Sequence, residues 1–186
     1  MKKILCVLFL FLYPFSACVA CDYESLESRS AQTQRSRPIA SFAPTKTESA
    51  EGGVLDVFKS SNRTLVVVRK DFGETGYRSM VLAIAADSTI SLSEELVGYA
   101  YPLHQAKKRV IVLSKNYRVQ YFCGAERANH LPPPSPHPAT FQSLEILNSF
   151  LSEPPLQPHL AAYKAHINTL RNALLSRSPE PRTGKQ

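Results

Sequence analysis

The chain has 186 residues, 44% of them hydrophobic, no tryptophan, and a net charge of +7 that falls to +5 once Lys2 and Lys3 are set aside. This is enough apolar material for one packed domain. The positive excess is spread along the chain, whereas a nucleic-acid footprint concentrates Lys and Arg on one element.

The first element is an export segment. Lys2 and Lys3 precede an apolar run from Ile4 to Phe15, broken only by Pro14, and small residues follow at Ser16-Ala17 and Val19-Ala20. A basic start, a short apolar core and small residues form the three-part layout of an export signal. The run falls short of the about 20 apolar residues that a membrane-spanning helix needs, so a leader of residues 1–20 is expected to be cleaved, after residue 17 or residue 20. Phe15-Ser16-Ala17-Cys18 resembles the bacterial lipobox of lipoproteins, in which one apolar and two small residues precede a cysteine that is acylated. Cys18-Val19-Ala20-Cys21 resembles it with Cys in place of the apolar residue, and both depart from the Leu that the family pattern favours there. The resemblance implies a lipid on Cys18 or Cys21 and a membrane as a partner through that lipid. Cys18 and Ala20 also suit a general signal peptidase cutting before Cys21, which leaves a bare N-terminus.

Residues 21–53 read as a disordered tether. Ser, Thr, Gln, Arg, Pro and Glu dominate, Leu26, Ile39 and Phe42 stand alone, and no period of 3.6 or 2.0 persists. As a flexible coil it would reach roughly 30 Å. Cys123 is the one cysteine beyond the leader region. In an oxidising compartment it can pair with Cys21 if Cys21 carries no lipid.

Residues 54–124 carry the strand signals. Val54–Phe58 is a short apolar run. Thr64-Leu65-Val66-Val67-Val68 is rich in β-branched residues, and its apolar run has no alternation, which predicts burial on both faces. Asp71 to Gly76 reads as a loop, Arg78 to Ala86 as a strand, and Asp87-Ser88 as a turn. In Thr89-Ile90-Ser91-Leu92-Ser93 the apolar residues alternate, placing Ile90 and Leu92 on one face, and Leu96 to Tyr101 extends this strand or leaves it. Arg109–Leu113 and Tyr117–Cys123 are expected as two strands around a Ser114-Lys115-Asn116 hairpin loop. Connections this short join antiparallel neighbours.

A proline-rich connector at residues 131–138 blocks helix and ladder alike. Helices are expected at 140–152, with Thr140 as N-cap, and at 159–177, where Leu160, Tyr163, Ile167, Leu170 and Leu174 form one stripe. The stripe is too short for a coiled coil and suits docking on the sheet. Residues 178–186 form a polar tail. The fold class is therefore α+β: one domain over residues 54–177, an antiparallel meander of five or six strands followed by two C-terminal helices packed on one face.

The search for chemistry nominates no catalytic, cofactor-binding or metal residue. His104, His130, His137, His159 and His166 show no HxH or HxxxH spacing. His159 and His166 share a helix face but lie about 10 Å apart along it, too far for one ion. No Walker loop or G-x-S-x-G elbow occurs, and Asp71, Asp87 and His104 have no spacing that demands a triad. Glu94 and Glu95 are adjacent in a strand and face opposite ways, which makes a poor general acid–base pair. Asn62-Arg63-Thr64 is a glycosylation sequon that matters only in a eukaryotic secretory route. The tyrosines of the strand block suit a core or a binding surface.

These readings predict an exported bacterial envelope protein on the periplasmic or outer-membrane face, a lipoprotein, acting as a non-catalytic binding or assembly component with another envelope protein as partner and with neither cofactor nor nucleic acid. Two other readings are a secreted effector or surface antigen, and a small envelope hydrolase without a recognisable motif.

Overall fold

A computed structural model describes residues 23–47, 50–61, 63–105, 110–123, 126–127 and 142–177. The leader with Cys18, together with Cys21, Asn62, His130, His137, Thr140, the connector at 131–138 and the tail at 178–186, lies outside the described residues. A seven-stranded antiparallel meander runs in sequence order through β1 (Ala40–Phe42), β2 (Gly53–Lys59), β3 (Leu65–Gly73), β4 (Gly76–Ile84), β5 (Thr89–Tyr99), β6 (Val112–Cys123) and β7 (Glu126–Arg127). Helix α1 (Tyr23–Thr33) precedes it, and α2 (Ser143–Leu151), α3 (Gln157–Leu160) and α4 (Lys164–Arg177) follow it. The expected α+β meander with C-terminal helices is thus present, flanked by two short edge strands, but the single helix expected at 159–177 is broken by a 3-10 turn at Ala161–Tyr163 between α3 and α4.

The unbroken apolar run of β3 explains the layering. Leu65 and Val67 turn to one face, where Leu55, Met80, Leu82, Ile90, Leu92 and Phe122 join them beneath Leu147, Phe150, Leu160, Ile167 and Leu170 of the C-terminal helices. Val66 and Val68 turn to the other face and pack with Phe58, Ala83 and Leu26 of α1. Both faces of β3 from Leu65 to Val68 are therefore buried. Each fully buried Leu, Ile or Phe side chain contributes about 2 kcal/mol. Within β5 the expected alternation holds: Ile90 and Leu92 enter the helix-side core, opposite Phe122 and Gln120 of β6.

Expectations for several segments are overturned. Residues 21–53 are not a free tether, since α1 and β1 both lie in this segment. The inner face of α1 consists of Leu26, Ser30 and Thr33. One leucine with two small polar residues leaves no apolar period to read, yet the small side chains allow close approach to the sheet. Thr33 satisfies its own hydroxyl by donating to the Arg29 carbonyl at 2.6 Å. Second, Ser114-Lys115-Asn116 is no hairpin loop. These residues continue β6 opposite Gly98, Val97 and Leu96. Their turn-forming character reflects exposure near the sheet edge, because β7 pairs only with Phe122 and Cys123. Likewise Gln142, without a side-chain bond, occupies the N-cap position of α2 that Thr140 was expected to fill.

Tight turns join the strands. Gly73 and Gly76 face each other across a two-residue hairpin, and a Cβ on Gly76 would fall 2.0 Å from the Val97 carbonyl oxygen. Ser88 takes φ of 70° between β4 and β5, where Asp87 Oδ1 accepts from the Thr89 N–H at 3.0 Å.

Candidate functional site

The face of the sheet beneath α1 changes character along its length. Near Leu26 it is apolar. Farther along, β4 and β5 present Ser79, Ser91 and Ser93, whose short side chains leave a cavity of about 280 Å³ between sheet and helix. The wall on the α1 side comes from Glu27, Ser30 and Gln34, and the far wall from Tyr117, Val119 and Tyr121 of β6. The alternation that sends Ile90 and Leu92 into the core sends these serines to the opposite face.

Two carboxylates organise the recess. Tyr121 donates its hydroxyl to Glu27 Oε2 at 2.8 Å, which fixes α1 against β6 where the rings of Tyr23 and Tyr121 also meet at 5.4 Å. Tyr77 donates to Glu95 Oε2 at 2.8 Å, and Lys115 Nζ lies 2.7 Å from Glu95 Oε1. Burial pushes the Glu95 carboxyl up, but the bonds from Lys115 and Tyr77 outweigh it and hold the group below its ordinary value. Burial, then the Glu95 hydrogen bond, pushes the Tyr77 phenol up to about 12. Burial and Glu27 push the Tyr121 phenol up as well. At neutral pH both phenols are protonated donors and neither is a base. The recess offers hydroxyls and engaged carboxylates, a lining suited to hydrogen-bonding a polar group.

A second charged cluster lies on the helix side. Arg69, Asp71 and Glu153 are all buried. Arg69 Nε donates to Asp71 Oδ2 at 3.1 Å and Nη1 to Glu153 Oε1 at 3.1 Å, while Nη2 donates to the Lys46 carbonyl. The guanidinium fork is taken up by these bonds, so the cluster ties β3, the end of α2 and the N-terminal segment together. Nearby, Arg78 Nε donates to Glu94 Oε1 at 2.7 Å and Nη2 reaches Glu145 at 3.5 Å.

Glu94 and Glu95 therefore serve opposite faces of the sheet, as their adjacency in a strand requires. Asp71, Asp87 and His104 are not brought together: Asp71 binds Arg69, Asp87 caps the β4–β5 turn, and His104 is exposed in a short 3-10 turn beside Gln105. His159 stands 6.0 Å from the Phe42 ring, and His166 shares a 3.2 Å hydrogen bond with Ser88. Among the described residues no group of three or more His, Cys, Asp or Glu is placed to hold a metal ion. Cys123 is disulfide-bonded, and the remaining cysteines, Cys6, Cys18 and Cys21, all lie outside the described residues. Sequence reasoning missed the wall made by Glu27, Ser30 and Gln34. The spacing of Ser91, Ser93 and Glu95 at every second position was its one readable signal.

No family model, no curated protein and no solved structure matches this chain.

Proposed function

We propose that the chain is an exported bacterial envelope protein, held at a membrane by a lipid on its N-terminal cysteine, that acts as a non-catalytic binding or assembly component. The observation that carries this reading is the leader itself: a basic start, a short apolar core, and small residues running into Cys18 and Cys21. The hydroxyl-lined recess supports a binding role, since its phenols are held protonated and its carboxylates are engaged.

The two cysteines divide between two tasks in this reading. Cys21 precedes Tyr23 by two residues, Cys123 follows Tyr121 by two, and Tyr23 lies against Tyr121. Cys21 is therefore the proposed disulfide partner of Cys123, and Cys18 the acylated residue. From Cys18 to Tyr23 the chain spans at most about 18 Å, so a lipid there keeps the domain close to the bilayer.

Intact-mass analysis of the mature protein tests this directly. The expected result is an N-terminus at Cys18 with a diacylglyceryl addition and a peptide joining Cys21 to Cys123 under non-reducing digestion. A bare N-terminus, with the protein recovered from the culture medium, would overturn envelope attachment in favour of the secreted reading.

A further inference from the structure

The end of the sheet where β5 passes into β6 carries exposed apolar residues in a row. Val110, Ile111, Val112 and Leu113 are 43%, 47%, 54% and 74% exposed, and Tyr101 and Leu103 beside them are 38% and 43% exposed. A strand resting on one packed layer buries every second side chain. Val112 and Leu113 open β6 with both side chains wet, and Val110 and Ile111 before the strand are exposed as well, so this tip projects past both the helix layer and the α1 layer. It is nonetheless held in place. Tyr99 pairs with Val112, the Ala100 N–H donates to the Ile111 carbonyl at 2.9 Å, and the Leu103 N–H donates to Glu74 in the β3–β4 turn at 2.9 Å.

From Leu96 to Ala125 the sequence holds no Asp or Glu, and Lys107, Lys108 and Arg109 immediately precede the apolar row. Lys115 beyond it is paired with Glu95, so the cations that flank the row are those three. Apolar residues flanked by cations, with a tyrosine alongside, match the chemistry of an anionic bilayer interface. The position of Tyr23, five residues after Cys18, adds a geometric reason. Tyr23 meets β6 at Tyr121, and Leu113 lies eight residues back along the same strand, about 26 Å away. An N-terminal lipid and the apolar tip would thus flank one edge of the sheet.

We propose that the tip formed by Tyr101, Leu103 and Val110 to Leu113 docks into the surface of an anionic phospholipid membrane, so that β6 lies along the bilayer with the lipid near one end and the tip at the other. The choice of bilayer rests on the envelope reading above; the docking itself is read separately.

The chain has no tryptophan, so a Leu113→Trp variant of the full protein reports on the tip alone, at a position exposed enough to tolerate the ring. An Arg171→Trp variant on the exposed face of α4 is the control. Each is mixed with vesicles of phosphatidylethanolamine and phosphatidylglycerol containing brominated acyl chains, and with phosphatidylcholine vesicles. The expected result is a blue-shifted Leu113→Trp emission, quenched several-fold more than that of Arg171→Trp, on the anionic vesicles only. Adding Val112→Glu should abolish the difference. Equal quenching of the two reporters on vesicles that carry the protein would overturn the proposal. So would a concentration-dependent blue shift without vesicles, which assigns the tip to a second copy of the chain. An unacylated protein whose tip is still quenched fails the lipoprotein reading and keeps this one; an acylated protein whose tip stays unquenched does the reverse.

Discussion

Glu153 Oε2 accepts two hydrogen bonds from Thr45, one from its backbone N–H at 2.8 Å and one from its hydroxyl at 2.6 Å, across 108 residues of chain. The other carboxylate oxygen of Glu153 is bound to Arg69. One buried side chain after α2 therefore joins the segment between β1 and β2 to the middle of the sheet.

Removing that carboxylate should be costly. Glu153→Ala leaves the Thr45 donors unmet and the buried Arg69 with Asp71 as its one remaining carboxylate partner. The expected loss is about 3 kcal/mol, typical of breaking a buried pair from one side. Glu153→Gln retains an acceptor and should lose less. Urea unfolding monitored by far-UV circular dichroism measures both. Equal midpoints for Glu153→Ala and the parent would show that the tie carries no stability.

The docking of α1 rests largely on Leu26, which is fully buried against Phe58, Val66 and Ala83. Leu26→Ala should destabilise by about 3 kcal/mol, and amide exchange in residues 23–33 should accelerate before that of the central strands. A segment that merely tethered the domain would leave both the unfolding midpoint and the exchange pattern unchanged.

These two contacts mark where the sequence is readable and where it is not. The strands that bury both faces declare themselves in Leu65 to Val68, and the helix stripe in Leu160, Ile167 and Leu170, because hydrophobic burial leaves a period in the residues that undergo it. α1 leaves none, since Ser30 and Thr33 satisfy themselves locally and only Leu26 is apolar on the inner face. β6 misleads for the opposite reason: an exposed strand near a sheet edge is selected for solvation, so Ser114, Lys115 and Asn116 imitate a turn. The recess is least legible, because its walls come from residues such as Glu27 and Tyr121 that are 94 apart in sequence. No local spacing records such a meeting.

Close approach of backbones at the β3–β4 hairpin gives a contrast between two glycines. A Cβ on Gly76 meets the Val97 carbonyl oxygen at 2.0 Å, whereas one on Gly98 meets the Ser114 Oγ at 2.6 Å. A carbonyl in a ladder cannot step aside, but a serine hydroxyl can rotate. Gly76→Ala should therefore cost about 2 kcal/mol or more through strain, and Gly98→Ala distinctly less. Thermal melts of the two variants decide this, and the reverse order would contradict the close approach at Gly76.

Alkaline pH offers a test of the recess. The Tyr77 phenol has an ordinary value of 10.0 and is pushed up to about 12, first by burial and then by its bond to Glu95. For a group whose value is higher in the folded state than in the unfolded chain, the stabilisation is complete below the unfolded value and is lost as pH rises toward the folded one. Stability should thus fall between about pH 10 and pH 12 as the unfolded chain gains the option of releasing this proton. Tyr77→Phe removes the titrating group, so its stability should fall less steeply over that window. Glu95→Gln removes the negative acceptor and should move the Tyr77 ionisation, followed by ultraviolet absorbance, back toward the ordinary range. If the slopes of the parent and Tyr77→Phe coincide, the Tyr77–Glu95 bond contributes nothing to the alkaline limit of the fold.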